Sequence, residues 1–519
     1  MQSTHRLLAC AALLCAYGCA RTALDLGVPR DRPASVLDGS AADTQAPTDA
    51  QAPADAQAPT DAQAPTDAQA PTDAQAPTDA LNPPACEPPF PLANPADKTP
   101  WSFRFGDESI QAATAVVAGP DGSVYIAGTF AGTLDLGGGA WQGGPNGNAF
   151  VAKLDAAGRL IWSHHFLATV SDWLAGIALT PSGELVCAGS FQGPMDLGAG
   201  PVLSSGSGGF LVVLDDCGHV RWSKTFVAGG SAITHSVVIS SVAVDGDGSS
   251  VVSGGFQGTV DFGSGPLTAA PSESFIAKYT PSGELQWSQR TGPGAGGLVV
   301  AADRAGSTFV AGRLSGPADI GAVHLEPVAQ AHPRAFVLKL ERSGTATWSL
   351  LEHGGALERA ASQSAVRALF VDTQGGVVLA SSYIYQSVDW GNGATTDYVC
   401  CGNNASVTRV NAAGVPVWTR WLGSNTSAEI TGSRGDLIAI TSLDSAGFTV
   451  QRLDSAGLQL ESTQYSSGAS ANRVFAVAAD PWDSILVAGS FFGRLDLGQG
   501  ALVASGRGIT TDGFVAKLK

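Results

Sequence analysis

The sequence predicts an all-β fold, a seven-bladed β-propeller of four-stranded antiparallel blades over residues 99–519 whose last blade is closed by the N-terminal strand. Three observations predict it. First, Phe150-Val-Ala-Lys-Leu with Trp162-Ser163 recurs at Phe210 with Trp222, at Phe275 with Trp287 and at Phe336 with Trp348. Weaker copies follow at Ser406 with Trp418 and at Phe448, where Glu461 replaces the Trp. Second, the last copy, Phe514-Val-Ala-Lys-Leu518, stops with no Trp segment, while Trp101-Ser-Phe-Arg-Phe-Gly106 is a Trp-Ser strand with no Phe-Val-Ala-Lys-Leu before it. An orphan strand at one end and a gap at the other complete a ring, which removes exposed sheet edges. Third, Trp101, Trp162, Trp222, Trp287, Trp348 and Trp418 stand 60 to 70 residues apart, enough for one small antiparallel sheet each.

Within the first repeat, Ala113–Ala118, a turn at Pro120-Asp-Gly122, Val124–Phe130, the Phe150 strand and Leu160-Ile-Trp162 are short runs rich in β-branched and aromatic residues. Gly, Pro and Asp turns separate them, so they read as four strands. The hydrophobic content of 44% could supply several cores. The internal period instead predicts one ring in which each sheet packs on its neighbours.

At the start of the chain, Met1–Ala20 has Arg6, an apolar run from Leu7 and small residues before a Cys, the form of an export signal and too short for a membrane span. Ala16-Tyr-Gly-Cys19 resembles a bacterial lipobox. Either Cys19 is acylated or the chain is cleaved near Ala20, and in both cases the protein is exported: an outer membrane lipoprotein, a periplasmic protein or a bacterial cell-surface protein. Residues 21–98 form an acidic linker with six hexapeptides of the type Gln-Ala-Pro-Thr-Asp-Ala between Gln45 and Ala80. With Pro every sixth residue and nothing large to bury, that segment is expected to be disordered and to act as a tether.

The balance of 28 Lys and Arg against 45 Asp and Glu gives a net charge of −17. No basic run offsets it, which argues against nucleic acid and against docking on anionic lipid.

The run Gly119-Pro-Asp-Gly-Ser-Val-Tyr-Ile-Ala-Gly-Thr-Phe-Ala-Gly-Thr-Leu-Asp-Leu-Gly137, with Ala149–Gly158 and Trp162, resembles the bacterial β-propeller repeats called SBBP repeats. The resemblance covers residues 101–519. It implies a propeller in a secreted or lipid-anchored protein and transfers no functional residues.

Six Asp-x-Gly hairpins begin at Asp135, Asp196, Asp261, Asp319, Asp389 and Asp496. Six carboxylates around a ring could hold cations, but Asp before an apolar residue and Gly is ordinary turn chemistry. Asp245-Gly-Asp-Gly248 lacks the remaining ligands of a calcium loop. Arg434-Gly-Asp436 falls where the first repeat has a turn. His164 and His165 point to opposite faces of a strand, and no His pair has zinc spacing. No catalytic residue, metal or cofactor is assigned.

Outside the signal the cysteines are Cys86, Cys187, Cys217, Cys400 and Cys401, an odd number in an oxidising compartment. Cys187 and Cys217 fall in one blade and could pair. Cys400 and Cys401 could join each other, or one of them could bond Cys86 and pin the linker to the ring.

Ala152-Lys-Leu-Asp-Ala-Ala-Gly-Arg-Leu-Ile-Trp162 is also similar to the Trp-docking motif of quinoprotein propellers. That resemblance implies an alternative, a pyrroloquinoline-quinone-type propeller oxidoreductase with a vicinal disulfide beside its cofactor. The chain departs from it in blade number and in having Ala157, Cys217, Ser282, Ser343, Ala413 and Ala456 where those enzymes place Thr. The main expectation is a non-enzymatic, monomeric binding or scaffold module at the cell envelope, its partner a protein or polysaccharide, with the irregular fifth and shortened sixth repeats, and loop 392–404, as the partner surface.

Overall fold

Each repeat folds because its apolar runs are strand-length and each run ends in a turn that a side chain stabilises. In the first blade the strands are Gln111–Ala118, Val124–Leu134, Trp141–Leu154 and Leu160–His165, paired in that order. The computed structural model describes residues 90–518 apart from 167, 169, 198–199, 205, 230–234, 328–331, 354–362, 385–386, 394–402, 425, 434–435, 444–446, 467–471 and 507–509. The middle strands are buried on both faces, as at Val124-Tyr-Ile-Ala127 and Phe150-Val-Ala-Lys153. This explains why they read as continuous apolar runs rather than alternating ones. At the following turn, Asp155 Oδ1 accepts the N–H groups of Ala157 and Arg159, and Gly158 supplies a φ of +79°.

Five more blades follow over residues 171–226, 236–290, 295–351, 363–424 and 426–466, each a four-stranded antiparallel sheet. The expected count of seven is corrected here: six blades are complete, each folded from one continuous run of chain. The last repeat contributes only Arg473–Ala479, Ile485–Phe491 and Asp512–Leu518. It does not make a blade by itself: the sheet it belongs to runs in the order Trp101–Phe105, Asp512–Leu518, Ile485–Phe491, Arg473–Ala479. Trp101–Phe105 fills that edge, in register from Trp101 opposite Lys517 to Phe105 opposite Gly513, and makes a composite closing sheet from the two ends of the propeller.

The first strand of each sheet lies against the first strand of the next, through Gln111–Ala118, Ser171–Leu179, Ser236–Val244, Ala295–Ala302, Gln363–Val371, Thr426–Ser433 and Arg473–Ala479, which returns to Gln111–Ala118. The fold is therefore a closed propeller. Its core is distributed between sheets; Tyr125 and Val151 of the first blade, for example, pack with Leu174, Phe191 and Phe210 of the second.

The repeated Trp binds one sheet to the next. The indole N–H of Trp101 donates to Ala156 O at 3.0 Å, Trp162 to Asp216 O at 2.8 Å, Trp222 to Pro281 O at 2.8 Å, Trp287 to Arg342 O at 2.9 Å, Trp348 to Ala412 O at 3.1 Å and Trp418 to Ser455 O at 3.0 Å. Each acceptor lies in the turn between the third and fourth strands of the following blade. A glycine of that turn lies flat on the indole; a Cβ at Gly344 would come within 3.1 Å of Trp287, and one at Gly158 within 2.8 Å of Trp101. The loss of Trp at Glu461 now has a cause. The sheet after the sixth blade takes its fourth strand, Trp101–Phe105, from the other end of the propeller sequence, so among the described residues no turn joins its third and fourth strands and offers a carbonyl to an indole.

Replacing Trp287 with Ala is expected to cost about 2 kcal/mol, mainly through the lost packing of the part-buried indole, since the exposed Arg342 carbonyl regains water. Glu461→Trp should change stability by less than about 0.5 kcal/mol, because it gains no acceptor. Denaturant titration of both variants checks the pair, and a marked gain from Glu461→Trp would contradict the clasp account.

Candidate ligand site at the ring axis

The first strands line the axis, and most carry a one-residue bulge at the same level. The bulged residues are Thr114, Ala175, Ser240, Arg367 and Phe475, with Gly297 and Leu298 in the fourth blade. A bulge leaves its extra residue unpaired and re-aims its side chain. The sixth blade is the exception, pairing continuously from Thr426 to Ser433. As a result Glu429, opposite Ile440, occupies the level at which the other first strands place Ala115, Gly176, Ser241, Val299, Ala368 and Ala476.

Glu429 is thus a carboxyl set among small residues, with arginines on both flanking strands. Its side chain keeps some access to the axis but sits deep in the ring. Burial pushes its carboxyl up to about 8, against the opposing pull of the Arg473 and Arg367 guanidiniums. Arg473 stacks its guanidinium over Phe475, 4.9 Å from the ring centroid, and Arg367 Nε donates to Ser382 Oγ at 2.9 Å. Burial thus favours the neutral form of the Glu429 carboxyl, and the two guanidiniums flank it in an otherwise acidic chain. The group can accept an anionic moiety and offer it a neutral carboxyl as a further hydrogen-bonding partner.

The other sequence candidates are spent on the fold. Asp135 Oδ1 accepts the N–H of Gly137 at 2.7 Å and Asp261 that of Gly263 at 2.7 Å. Asp389 takes Gly391 at 2.8 Å, Asp496 takes Gly498 at 2.9 Å and Asp196 takes Gly200 at 3.1 Å. Asp319 is paired with His324 at 2.7 Å. Each carboxylate holds its own hairpin, and three of these hairpins, those at Asp196, Asp319 and Asp496, are separate two-stranded sheets. Asp245 accepts the N–H groups of Asp247 and Ser249 and pairs with the fully buried Lys278 at 2.8 Å, so it closes a turn rather than a calcium loop. The Lys of the recurring strand does the same elsewhere: Lys517 meets Asp480 at 3.1 Å, and Arg409 in that position meets Asp372 at 2.8 Å. His164 packs on Phe166 and His165 on Trp141, and burial lowers the pKa of both rings.

Among the cysteines, Cys187 is a free and fully buried thiol and Cys217 is disulfide-bonded, so the Cys187–Cys217 pair considered from sequence is not formed. Cys187 lies in the middle of a second strand, with its sulfur inside the sheet packing. Cys19, Cys86, Cys400 and Cys401 lie outside the described residues, as do 394–402 of loop 392–404 and the Arg434-Gly435 portion of the adhesion tripeptide. Asp215, Cys217 and His219 bring ligand atoms close together, but a disulfide sulfur is not a thiolate and leaves only two donors.

No family model matches the chain, and no curated protein does. Solved structures do. One is a protein of unknown function from Dyadobacter fermentans, 12% identical, covering 81% of this chain and 98% of its own at a TM-score of 0.38. Another is the C-terminal WD40 domain of Sif2, 11% identical, covering 79% and 98% at 0.36. A protein of unknown function from Bacteroides caccae, 11% identical, covers 61% and 89% at 0.29.

The raised carboxyl makes stability depend on pH. In the folded state Glu429 holds its proton up to about 8, whereas an exposed Glu releases it near 4.5. The folded form therefore binds more protons across that interval, and stability falls as pH rises through it. Glu429→Gln should be insensitive to this change and at pH 9 exceed the parent by about 2 kcal/mol, less than the full shift implies because the axis admits water. Urea midpoints at pH 5 and pH 9 measure it; equal pH slopes would place Glu429 in an ordinary environment.

Proposed function

We propose that this protein is a non-enzymatic binding module at the bacterial cell envelope that holds an anionic polymer or an acidic protein segment at its axis. The observation that carries the reading is Glu429 between Arg367 and Arg473, at a level where the other described first strands place Ala115, Gly176, Ser241, Val299, Ala368 and Ala476. A ligand must break the ring's symmetry somewhere, and this group is centred on the sixth blade, between the fifth blade and the closing sheet, where the repeats are least regular. Export by the Met1–Ala20 signal supports an envelope location, with Cys19 acylation or the acidic linker serving as tether. The likeness to SBBP repeats is consistent with it.

Oligogalacturonate, whose carboxylates resemble those of an acidic envelope polysaccharide, is a suitable probe, with neutral dextran as control. The expected result is calorimetric binding of oligogalacturonate alone, weakened at least tenfold, about 1.4 kcal/mol, in Arg367→Ala/Arg473→Ala. Binding should also weaken between pH 7 and 9 as Glu429 ionises and offsets the arginines, and Glu429→Gln should lose that dependence. Undiminished binding by the double arginine variant would overturn the assignment of the site.

A further inference from the structure

We infer that the cleft between the sixth blade and the closing sheet is a second site, one that takes a single carboxylate on a short apolar stem with Arg452 as its counter-ion. The cleft is lined by Val450, Arg452, Glu461, Thr463, Tyr465 and Ile485. All but Ile485 lie on one face of the third and fourth strands, Gly447–Leu453 and Gln459–Ser466, where Arg452 stands opposite Glu461 and Val450 opposite Thr463. In the first blade the same pairing sets Lys153 opposite Trp162, whose indole packs between that sheet and the next. The sixth blade has lost the indole and kept the cation.

Everywhere else that cation has a carboxylate. Lys278 pairs with Asp245 at 2.8 Å, Lys339 with Asp303 at 3.9 Å, Arg409 with Asp372 at 2.8 Å and Lys517 with Asp480 at 3.1 Å. Each of these Asp residues opens the turn between the first two strands of its own sheet. The first blade has Gly119 there, and Lys153 pairs instead with Asp216 of the next blade. The second blade has Thr180 there and no cation to neutralise, since Val213 stands opposite Trp222. The sixth blade breaks the rule. Its first two strands, Thr426–Ser433 and Asp436–Leu443, are separated by two residues, against five between Ser236–Val244 and Ser250–Asp261, too few for the turn that Asp245 opens. Among the described residues Arg452 makes no ion pair. Its Nη2 donates to Asp483 O at 3.3 Å, as Lys278 Nζ does to Gly306 O at 2.6 Å, and its Nε is buried with no partner.

A buried guanidinium N–H without an acceptor is costly, and a carboxylate meets it with two parallel charge-assisted bonds along the Nε and Nη2 edge. The hydroxyls of Thr463 and Tyr465 can donate to the same group, and Val450 and Ile485 are apolar walls for the stem that carries it. Glu461 is exposed and lines the same cleft without pairing to Arg452. It repels a second negative charge, which selects a monocarboxylate over a phosphate or a dicarboxylate. None of these residues belongs to the axial group, so the cleft stands or falls independently of the reading above.

Isobutyrate is a suitable probe, with isobutyramide as its uncharged control and a capped Gly-Asp-Gly peptide to distinguish a free carboxylate from one presented on a protein side chain. Ligand-observed NMR titration of the full chain should show binding of isobutyrate, of the peptide or of both, and none of the amide. The affinity should fall at least tenfold in Arg452→Gln, and Glu461→Trp, which returns an indole to the cleft, should abolish binding. Because the axial arginines also attract anions, the titration is repeated in Arg367→Ala/Arg473→Ala, where binding should persist. Absence of binding by both carboxylates, equal affinity in Arg452→Gln, or loss of binding in the axial double variant would overturn the assignment.

Discussion

The ring stands on the pairing of Trp101–Phe105 with Asp512–Leu518. Without it the last three strands present a bare edge, the first blade loses the indole that Trp101 lays on Gly158, and the central strands have no reason to return to their start. Propeller sheets are individually marginal, because a four-stranded sheet buries its faces only against neighbours. Closure therefore turns six local folding problems into one cooperative structure. The burial pattern fits this: Phe103 and Phe105 pack with Phe150 and Val515, joining residues more than four hundred positions apart in one cluster. Arg104 adds an ion pair to the fully buried Asp512 side chain at 2.6 Å.

The indole clasps show how the same constraint shaped the sequence. Each clasp needs an indole on an outer strand, a carbonyl in the next turn and a glycine flat enough to lie under the ring. Where the next turn exists, all three are present. At the sixth blade it does not exist, and Glu461 stands there exposed. A feature that looks like decay of a repeat coincides with the one sheet whose third and fourth strands are not consecutive in sequence. Beside it lies a cleft lined by Val450, Arg452, Glu461, Thr463, Tyr465 and Ile485.

The strands, the Trp role and the hairpin carboxylates were legible because each recurs, and recurrence exposes what a position does in every blade. The functional candidates were not legible for the converse reason. Glu429 occurs once, in the repeat whose spacing is most compressed, and its level on the axis is fixed by the absence of a bulge, which no residue type announces. Aligning Thr426–Ser433 against the other first strands would have shown a carboxylate opposite Ala, Gly, Ser and Val. Without the register, a Glu among Ser and Thr reads as a solvent-facing residue. The Lys–Asp pairs were hidden differently: Lys278 lies in an apolar run, and only the fold brings Asp245 back from the turn between the first and second strands to neutralise it.

Regularity and function make opposite demands on this architecture. The small residues facing the axis let seven first strands converge, and any one of them could be enlarged only where space is made. The Thr426–Ser433 strand pairs without a bulge, and that register carries the glutamate to this level. Arg367, by contrast, is projected by a bulge in the fifth blade, and Arg473 precedes the bulge at Phe475. Three adjacent strands thus use three different local geometries to assemble one charged group, and burial sets its balance so that the carboxyl holds a proton where the guanidiniums cannot lose theirs. Burying a carboxyl at this level costs desolvation that the Ala, Gly, Ser and Val at the same level of the other first strands do not incur. The asymmetry has a cost in stability, which the axial binding role proposed above would offset.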